Sequence, residues 1–175
     1  MPDLPITDDQ MHALVDAARA ARERAYAPYS RFKVGAALLD EQGRIHAGCN
    51  VENAAYPQGQ CAEASAIAHL VLAGGTRILA AVVVGVAGGD GGGAGSGDRP
   101  GDSPGDSPGD SSRDSSRDSS AGGPPVTPCG GCRQRLREFA ADDLPVWAAD
   151  LQSVRGRYTL GGLLPASFGP DHLVP

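Results

Sequence analysis

The feature that most constrains this chain is a 38-residue stretch, residues 88–125, that contains no aromatic and no branched aliphatic residue. It consists of 12 Gly, 9 Ser, 7 Asp, 5 Pro, 3 Arg and 2 Ala, and it includes short repeats such as Gly-Asp-Ser-Pro. Such a composition cannot bury enough apolar surface to offset the entropy of an ordered backbone. We therefore predict a disordered insertion that interrupts a single domain formed by the other 137 residues.

Outside this insertion the chain is close to neutral. The full 175 residues carry 15 basic and 21 acidic side chains, a formal net charge of −6, whereas the 137 residues outside the insertion carry 12 and 14. Such a domain lacks the basic face that attracts a phosphate backbone, so nucleic acid is not the expected partner. No run approaches the roughly 20 apolar residues of a membrane helix, and the first residues do not resemble an export signal. We therefore expect a cytoplasmic protein without a membrane partner.

Apolar periodicity predicts alternating helices and strands. Thr7 and Gln10 fit a capping box, after which apolar residues recur at helical spacing, so a helix starts there and ends before Pro28. Apolar runs at 32–39 and 44–50, joined by a turn-forming tetrapeptide, predict a hairpin. The remaining pattern predicts a helix at 61–73, a buried strand at 78–86, a helix at 130–140, a strand at 145–149 and a weaker strand at 158–160. This order is typical of an α/β layer fold.

Two cysteine clusters carry the chemical signal. Cys61 precedes Glu63 by two positions at the start of one predicted helix, and Cys129 and Cys132 begin another. Thiolates at a helix N-terminus face free backbone N–H groups and the positive end of the helix dipole, which lowers their pKa and suits zinc. Three sulfurs leave a fourth position for water, whose pKa zinc lowers towards neutrality. Glu63 lies close enough to accept and return the water proton, so the pattern predicts a catalytic zinc site.

Two other interpretations of the cysteines stay open. A structural four-cysteine zinc site would recruit Cys49, although it would leave Glu63 without a function, and Cys49 falls in a strand-like run that favours a small buried side chain. A dithiol redox pair at Cys129 and Cys132 is the second alternative. The combination of Cys-x-Glu with Pro-Cys-x-x-Cys is similar to the zinc deaminase signature.

Longer motifs resemble the short-chain, zinc-dependent cytidine deaminases. The matching segments follow in order over nearly all of the chain outside the insertion, at 29–39, 48–57, 61–63, 128–134 and 163–170. The resemblance implies a three-layer α-β-α sandwich around a mixed five-stranded sheet, with one zinc ion per subunit of a homotetramer. It also implies a hydrolase of pyrimidine salvage that converts cytidine and 2′-deoxycytidine to the uridines and ammonia. Zinc-activated hydroxide would attack C4 of the base, with Glu63 as the proton shuttle.

The resemblance assigns roles to individual substrate-binding residues. Asn50 and Glu52 correspond to the residues that hold the ribose 3′-hydroxyl, although Asn50 is also typical of a turn or cap after a strand. Phe32 corresponds to a side chain that stacks on the base, with plain core packing as its alternative. The N–H of Ala62 corresponds to the donor to the base carbonyl. A buried carboxylate needs hydrogen-bond donors, and sugar hydroxyls supply them, so free cytosine is expected to be a poor substrate.

Further residues correspond to the subunit boundary and to the surroundings of the metal. Tyr56 and Phe168 match positions that help complete the pocket of a neighbouring subunit. Most relatives with three cysteine ligands carry an arginine directly after the catalytic glutamate, whereas this chain has Ala64. Three thiolates and Zn²⁺ sum to a negative charge, so withdrawing charge from sulfur helps to keep the metal acidic. Arg133 matches a position that hydrogen-bonds a ligand sulfur, and we hypothesise that it is the main remaining compensator.

Two other functions fit the same motifs. One is a deaminase of another aminated nucleoside, such as a blasticidin-type antibiotic, or of nucleic-acid bases. Asn50 and Glu52 favour a free ribonucleoside over the antibiotic, and the lack of a basic, aromatic-lined surface signal in the sequence disfavours a polynucleotide. The other is a non-catalytic binding module stabilised by zinc, which the alanine at position 64 makes conceivable. Turnover of cytidine separates an enzyme from such a module.

Overall fold

The structure of the chain is a computed structural model that describes residues 6–86 and 123–173. Most of the predicted insertion at 88–125 lies outside the described residues, so its disorder and the single-domain organisation stay predictions. None of the helices within the described ranges is both long enough and apolar enough to cross a bilayer.

The secondary structure follows the predicted order of helices and strands. In chain order the elements are α1 (Asp8–Glu23), β1 (Val34–Asp40), β2 (Ile45–Cys49), α2 (Ala62–Leu72), β3 (Ile78–Gly85), α3 (Gly130–Phe139), β4 (Pro145–Ala149), β5 (Val154–Thr159) and α4 (Leu160–Leu163). Helix α1 begins with the predicted capping box, because the Gln10 N–H donates to Thr7 Oγ1 at 3.2 Å while Gln10 Oε1 accepts from the Thr7 N–H at 2.9 Å.

The strands form one five-stranded sheet in the order β2-β1-β3-β4-β5. Strands β3 and β4 run parallel, and the other three pairs are antiparallel. The central β3 is almost continuously aliphatic because both of its faces are covered. The predicted mixed five-stranded sheet between helical layers is confirmed.

Two apolar cores lie on opposite faces of this sheet. The first packs α1 on the sheet, and its members include Leu14, Ala18, Leu39, Val82 and Trp147. The second packs α2, α3 and α4 on the other face, and its members include Leu38, Leu70, Val83, Leu136 and Leu160. Glycines permit close packing on both sides, because a Cβ at Gly35 would lie 2.0 Å from the Ala18 carbonyl oxygen and one at Gly48 would lie 2.6 Å from the Ala62 carbonyl oxygen.

The final strand differs from its prediction. Strand β5 covers Val154–Thr159 instead of 158–160, and Leu160 begins α4. Strand β5 lies at an edge of the sheet, its side chains are exposed or half-buried, and it carries Arg155 and Arg157. A polar edge strand has no continuous apolar run, so the apolar pattern located only its end.

Candidate active site and metal centre

The first cysteine cluster lies where α2 begins. Cys61 is the N-cap residue with an extended backbone (φ −76°, ψ 154°), and its carbonyl oxygen accepts from the Ser65 N–H at 3.1 Å. The N–H groups of the first helical turn have no acceptor within the helix, and the positive end of the dipole lies beside this cysteine. Glu63 follows within that first turn, and its side chain is only 4% exposed.

The second cluster lies at the start of α3 and has the same design. Cys129 is the N-cap residue, again extended (φ −66°, ψ 165°), and its carbonyl oxygen accepts from the Arg133 N–H at 2.9 Å. Cys132 is the third residue of the helix and is fully buried, whereas Cys129 is exposed. Both clusters therefore present sulfur at the positive end of a helix, as the sequence predicts.

The two clusters meet although they are 68 residues apart in the chain. The Sγ atoms of Cys61 and Cys129 are 3.9 Å apart, and these sulfurs and that of Cys132 all lie within 4.8 Å of one another. Tetrahedral zinc with Zn–S bonds of about 2.3 Å holds two sulfurs about 3.8 Å apart. The three thiols therefore fit one zinc ion. Among the described residues Cys49 is free but does not join this group, which argues against the four-cysteine alternative.

Glu63 lies directly beside the sulfurs, and the crowding of acidic groups changes the thiol pKa values. The Cys132 thiol donates to Glu63 Oε2 at 3.2 Å, and burial together with the charge of Glu63 raises the pKa of Cys132. Burial and the charge of Cys129 raise the pKa of Cys61. Burial also acts to raise the pKa of Cys129, but hydrogen bonds from the backbone and side chain of Cys132 outweigh it and lower that pKa. A bound cation would relieve this crowding.

A cavity of about 380 Å³ reaches these groups. Cys61, Cys129 and Glu63 line one part of it, and this volume is within the range of small-molecule sites. The other lining residues are Ser30, Phe32, Val34, Asn50, Val51, Glu52, Gly59, Gln60, Ala62, Val83, Val126 and Thr127. The structure thus brings two of the three clustered cysteines, Glu63 and all four substrate-binding residues expected within one subunit to a single cavity.

Comparison with known proteins identifies the family to which this arrangement belongs. Residues 8–148 match the profile described as the cytidine and deoxycytidylate deaminase zinc-binding region. The chain belongs to this deaminase family. The family assignment and the three gathered thiols together confirm the predicted zinc cofactor and the class of zinc-dependent hydrolases.

Members of the family are similar to this chain over almost its whole length. A cytidine deaminase of Sporosarcina psychrophila is 36% identical over 161 residues, covering 91% of this chain and 92% of the relative. A cytidine deaminase of Mycobacterium tuberculosis is 36% identical over 156 residues, covering 89% and 87%. The crystal structure of cytidine deaminase from Burkholderia pseudomallei superimposes with a TM-score of 0.66 at 37% identity, covering 93% of this chain and all of that one (100%).

Asn50 and Phe32 lie beside the start of β1 and are joined by a hydrogen bond. Asn50 Oδ1 accepts from the Val34 N–H at 2.8 Å, and Asn50 Nδ2 donates to the Phe32 carbonyl oxygen at 2.9 Å. Phe32 is half-buried, lines the cavity and belongs to neither of the two cores of the described residues. Its position therefore argues against plain core packing. Asn50 bonds residues 16 and 18 positions away along the chain, and it also lines the cavity.

Tyr56 and Phe168 do not line this cavity within their own subunit. Tyr56 is 78% exposed and, with Tyr29, lines a neighbouring cavity of about 420 Å³. Phe168 is 56% exposed, stacks on His172 with ring centroids 5.0 Å apart, and accepts at its carbonyl oxygen from Gln134 Nε2 at 2.8 Å. Both aromatic rings are therefore available to a neighbouring molecule.

The contact expected between Arg133 and a ligand sulfur is absent from the described part of the chain. Its Nε donates to the Pro128 carbonyl oxygen at 2.7 Å, one terminal nitrogen donates to the Leu163 carbonyl oxygen at 2.7 Å, and the other donates to Thr127 Oγ1 at 3.1 Å. All three guanidinium nitrogens of Arg133 thus donate to oxygen atoms. Arg133 fixes the segment that leads into Cys129, and its role as the main remaining compensator of the sulfur charge stays a prediction.

Several lining residues carry no role in the sequence analysis. Val126 and Thr127 come directly after the predicted insertion and form part of the cavity wall. Val126 packs against β3, since a Cβ at Gly85 would lie 3.0 Å from its side chain. Ser30 also lines the cavity and lies two residues before Phe32. A hydroxyl in a turn is a local signal for side-chain to backbone hydrogen bonds, and it was the available clue to Ser30.

Proposed function

We propose that this protein hydrolyses cytidine and 2′-deoxycytidine to uridine and 2′-deoxyuridine with release of ammonia. The observation that carries the proposal is the meeting of three thiols and one buried carboxylate, Glu63, at the wall of a cavity of nucleoside size, which Cys61, Cys129 and Glu63 line. The relatives reported above are named cytidine deaminases, and they align over nearly the whole chain. The substrate would bind with its amino group directed towards the sulfurs.

Cys61, Cys129 and Cys132 would hold the zinc ion. When bound, zinc with three protein ligands keeps one position open and makes water acidic near neutral pH. The two helix N-termini supply partial positive charge beside two of the sulfurs, which supports thiolates there, while the three guanidinium nitrogens of Arg133 donate to oxygen atoms.

Glu63 would move the protons of the reaction. Its carboxylate lies beside a ligand thiol, lines the cavity, and is nearly buried, so it is held close to the reacting centre. It would take one proton from the water that adds to C4 and deliver it to N3 of the pyrimidine. It would then pass the proton of the new C4 hydroxyl to the amino group, so that the C4–N bond breaks, the C4 oxygen becomes the carbonyl of the product and the amino group leaves as ammonia. Ala62 is the first residue of α2, where an N–H has no acceptor within the helix, and it would donate to the base carbonyl.

Asn50 and Glu52 retain the hydrogen-bonding capacity to bind one hydroxyl of the sugar. Asn50 uses one donor and one acceptor on its neighbours and keeps one of each. Glu52 has about four acceptor positions, of which three are occupied by donors from Tyr29 and Ser30. A 3′-hydroxyl would accept from Asn50 Nδ2 and donate to Glu52, with the base stacked on Phe32. Free cytosine would leave the remaining donor of Asn50 and the remaining acceptor position of Glu52 unused.

The proposal extends to assembly and location. Tyr56 and Phe168 present exposed aromatic rings, and each would complete the pocket of a neighbouring subunit in a homotetramer. All four cysteines are free, and free thiols that serve as metal ligands persist in a reducing compartment. We place the enzyme in the cytoplasm, in pyrimidine salvage.

Steady-state kinetics of the zinc-loaded, full-length protein test this function. We expect uridine and ammonia in equal amounts from cytidine, comparable turnover of 2′-deoxycytidine, and little turnover of cytosine, a blasticidin-type substrate or single-stranded DNA. Removal of zinc with a chelator should abolish turnover, and adding zinc back should restore it. A zinc-loaded protein that leaves cytidine unchanged would refute the proposal. Sedimentation tests the tetramer separately.

A further inference from the structure

Ser30 connects the two sides of the substrate cavity. Its hydroxyl donates to Glu52 Oε1 and accepts from the Phe32 N–H at 3.0 Å. Glu52 Oε2 accepts from the backbone N–H groups of Tyr29 at 2.9 Å and Ser30 at 3.2 Å. One serine hydroxyl therefore links the carboxylate assigned to the sugar with the backbone of the residue assigned to the base.

The local backbone is arranged to allow this double contact. Arg31, between Ser30 and Phe32, has φ +56°, a left-handed conformation that is uncommon for a residue other than glycine. Its N–H donates to the Ala27 carbonyl oxygen at 3.1 Å, which closes the turn. Left-handed non-glycine residues persist where their surroundings hold them, and they concentrate at functional sites.

The two oxygens of Glu52 have different roles in this network. Oε2 is occupied by two backbone donors, which fill its acceptor positions, whereas Oε1 is held by the Ser30 hydroxyl alone. Oε1 is therefore the oxygen with a remaining acceptor position. The Ser30 hydroxyl is also the leading cause that lowers the pKa of Glu52, followed by the two backbone N–H groups against the opposing effect of burial.

We propose that Ser30 is a positioning residue that directs Glu52 Oε1 towards the 3′-hydroxyl of the nucleoside and thereby sets selectivity for that hydroxyl. Ser30 acts through Glu52 on binding and takes no part in proton transfer. This inference rests on the proposed function, because it takes a nucleoside as the occupant of the cavity.

The test compares substrates with and without the hydroxyl in question. For Ser30→Ala, we expect KM for cytidine to rise about tenfold, the size of one lost hydrogen bond to a charged group, with kcat within about twofold of wild type. KM for 3′-deoxycytidine should stay unchanged, because that substrate has no hydroxyl for Glu52 to bind. Ser30→Thr keeps the hydroxyl and should restore the wild-type KM. Ser153→Ala, in the exposed turn before β5, is the matched control.

Equal losses on both substrates, a fall in kcat alone, or no change would each overturn the inference. Ser30→Cys keeps the side-chain size but donates weakly, and it provides the same comparison if the alanine variant unfolds. Calorimetric binding of uridine and 3′-deoxyuridine separates this inference from the proposed function, because it needs no turnover. Weaker binding of uridine alone in Ser30→Ala supports the positioning role, and equal binding by both proteins contradicts it. Absence of cytidine turnover by wild type refutes the function instead.

Discussion

Two acidic side chains among the described residues are almost completely buried, and their surroundings differ sharply. Asp40, which is 0% exposed, ends β1 at the hairpin, whereas Glu63, which is 4% exposed, lies at the cavity near the other end of that strand. Asp40 accepts from the backbone N–H groups of Gln42 and Arg44 at 2.9 and 2.8 Å, and its other oxygen contacts Arg44 Nε at 2.7 Å and His46 Nε2 at 2.8 Å.

Glu63 has far fewer partners. In the part of the chain that the structure describes, its one hydrogen-bond donor is the Cys132 thiol at 3.2 Å. A buried carboxylate surrounded by donors stabilises the fold, because its charge is compensated. A buried carboxylate with one weak donor and access to a cavity is free to exchange protons with a ligand. The number of donors, and not burial, therefore separates the structural carboxylate from the chemical one.

The largest expected effect comes from Glu63→Gln. We expect kcat for cytidine to fall at least about a thousandfold, because the amide does not carry the proton. Zinc content, measured by elemental analysis, and the free energy of unfolding should stay near wild type. Loss of zinc in this variant, or retained turnover, would show that Glu63 is structural like Asp40.

Asp40→Asn should have the opposite profile. We expect a loss of about 2–3 kcal/mol in the free energy of unfolding, measured with urea, because the amide leaves Arg44 and His46 with a poorer partner. The kcat and KM for cytidine should change by less than about twofold, because Asp40 lies at the opposite end of β1 from the cavity. A strong loss of activity in a folded Asp40→Asn variant would contradict the purely structural role of Asp40.

Arg133→Gln should weaken zinc binding about tenfold, as expected for a group that orients a ligand from outside the coordination shell. The reason is the loss of its hydrogen bonds to Pro128 and Leu163, which fix the segment before Cys129. Competition with a chromophoric chelator measures the affinity. Arg135→Gln, an exposed arginine of the same helix, should bind zinc as wild type does. Equal affinities for both variants would remove Arg133 from the metal site.

The smallest effect is the part of the pH dependence of stability that comes from Asp40. Burial opposes ionisation, but hydrogen bonds from His46 and Arg44 outweigh it and hold the pKa of Asp40 well below its usual range. A lowered pKa in the folded state adds stability that is present above the unfolded value of about 3.9 and is lost as the pH falls below it. The stability difference between wild type and Asp40→Asn should therefore shrink, on the order of 1 kcal/mol, from pH 5 to pH 3. A constant difference would contradict this assignment.

The sequence predicts the elements that depend on local signals. The capping box at Thr7 and Gln10 and the aliphatic run of β3 were sufficient to place α1 and the central strand. Strand β5 was underestimated because arginines on an edge strand hide its periodicity. The local sequence pattern is reliable where an element depends on contacts between residues close in the chain. It fails where the exposure of the side chains depends on the position of the strand in the sheet.

The candidate site shows the same division. Motif spacing predicted the three cysteines and Glu63, which the fold brings together. It did not predict that Arg133 donates to Leu163, 30 residues away, in place of sulfur. Nor did it predict that Ser30 contacts Glu52, 22 residues away, because both contacts depend on how separate segments meet.

The meeting of Cys61 and Cys129 has a consequence for the chain as a whole. Zinc would form a removable cross-link between segments 68 residues apart. Part of the free energy of zinc binding would therefore stabilise the folded state against unfolding, much as a disulfide does by restricting the unfolded chain. The length of polypeptide that joins residues 86 and 123 falls inside the cross-linked loop. Val126 packs against Gly85, so the two described segments also meet where that connection begins and ends.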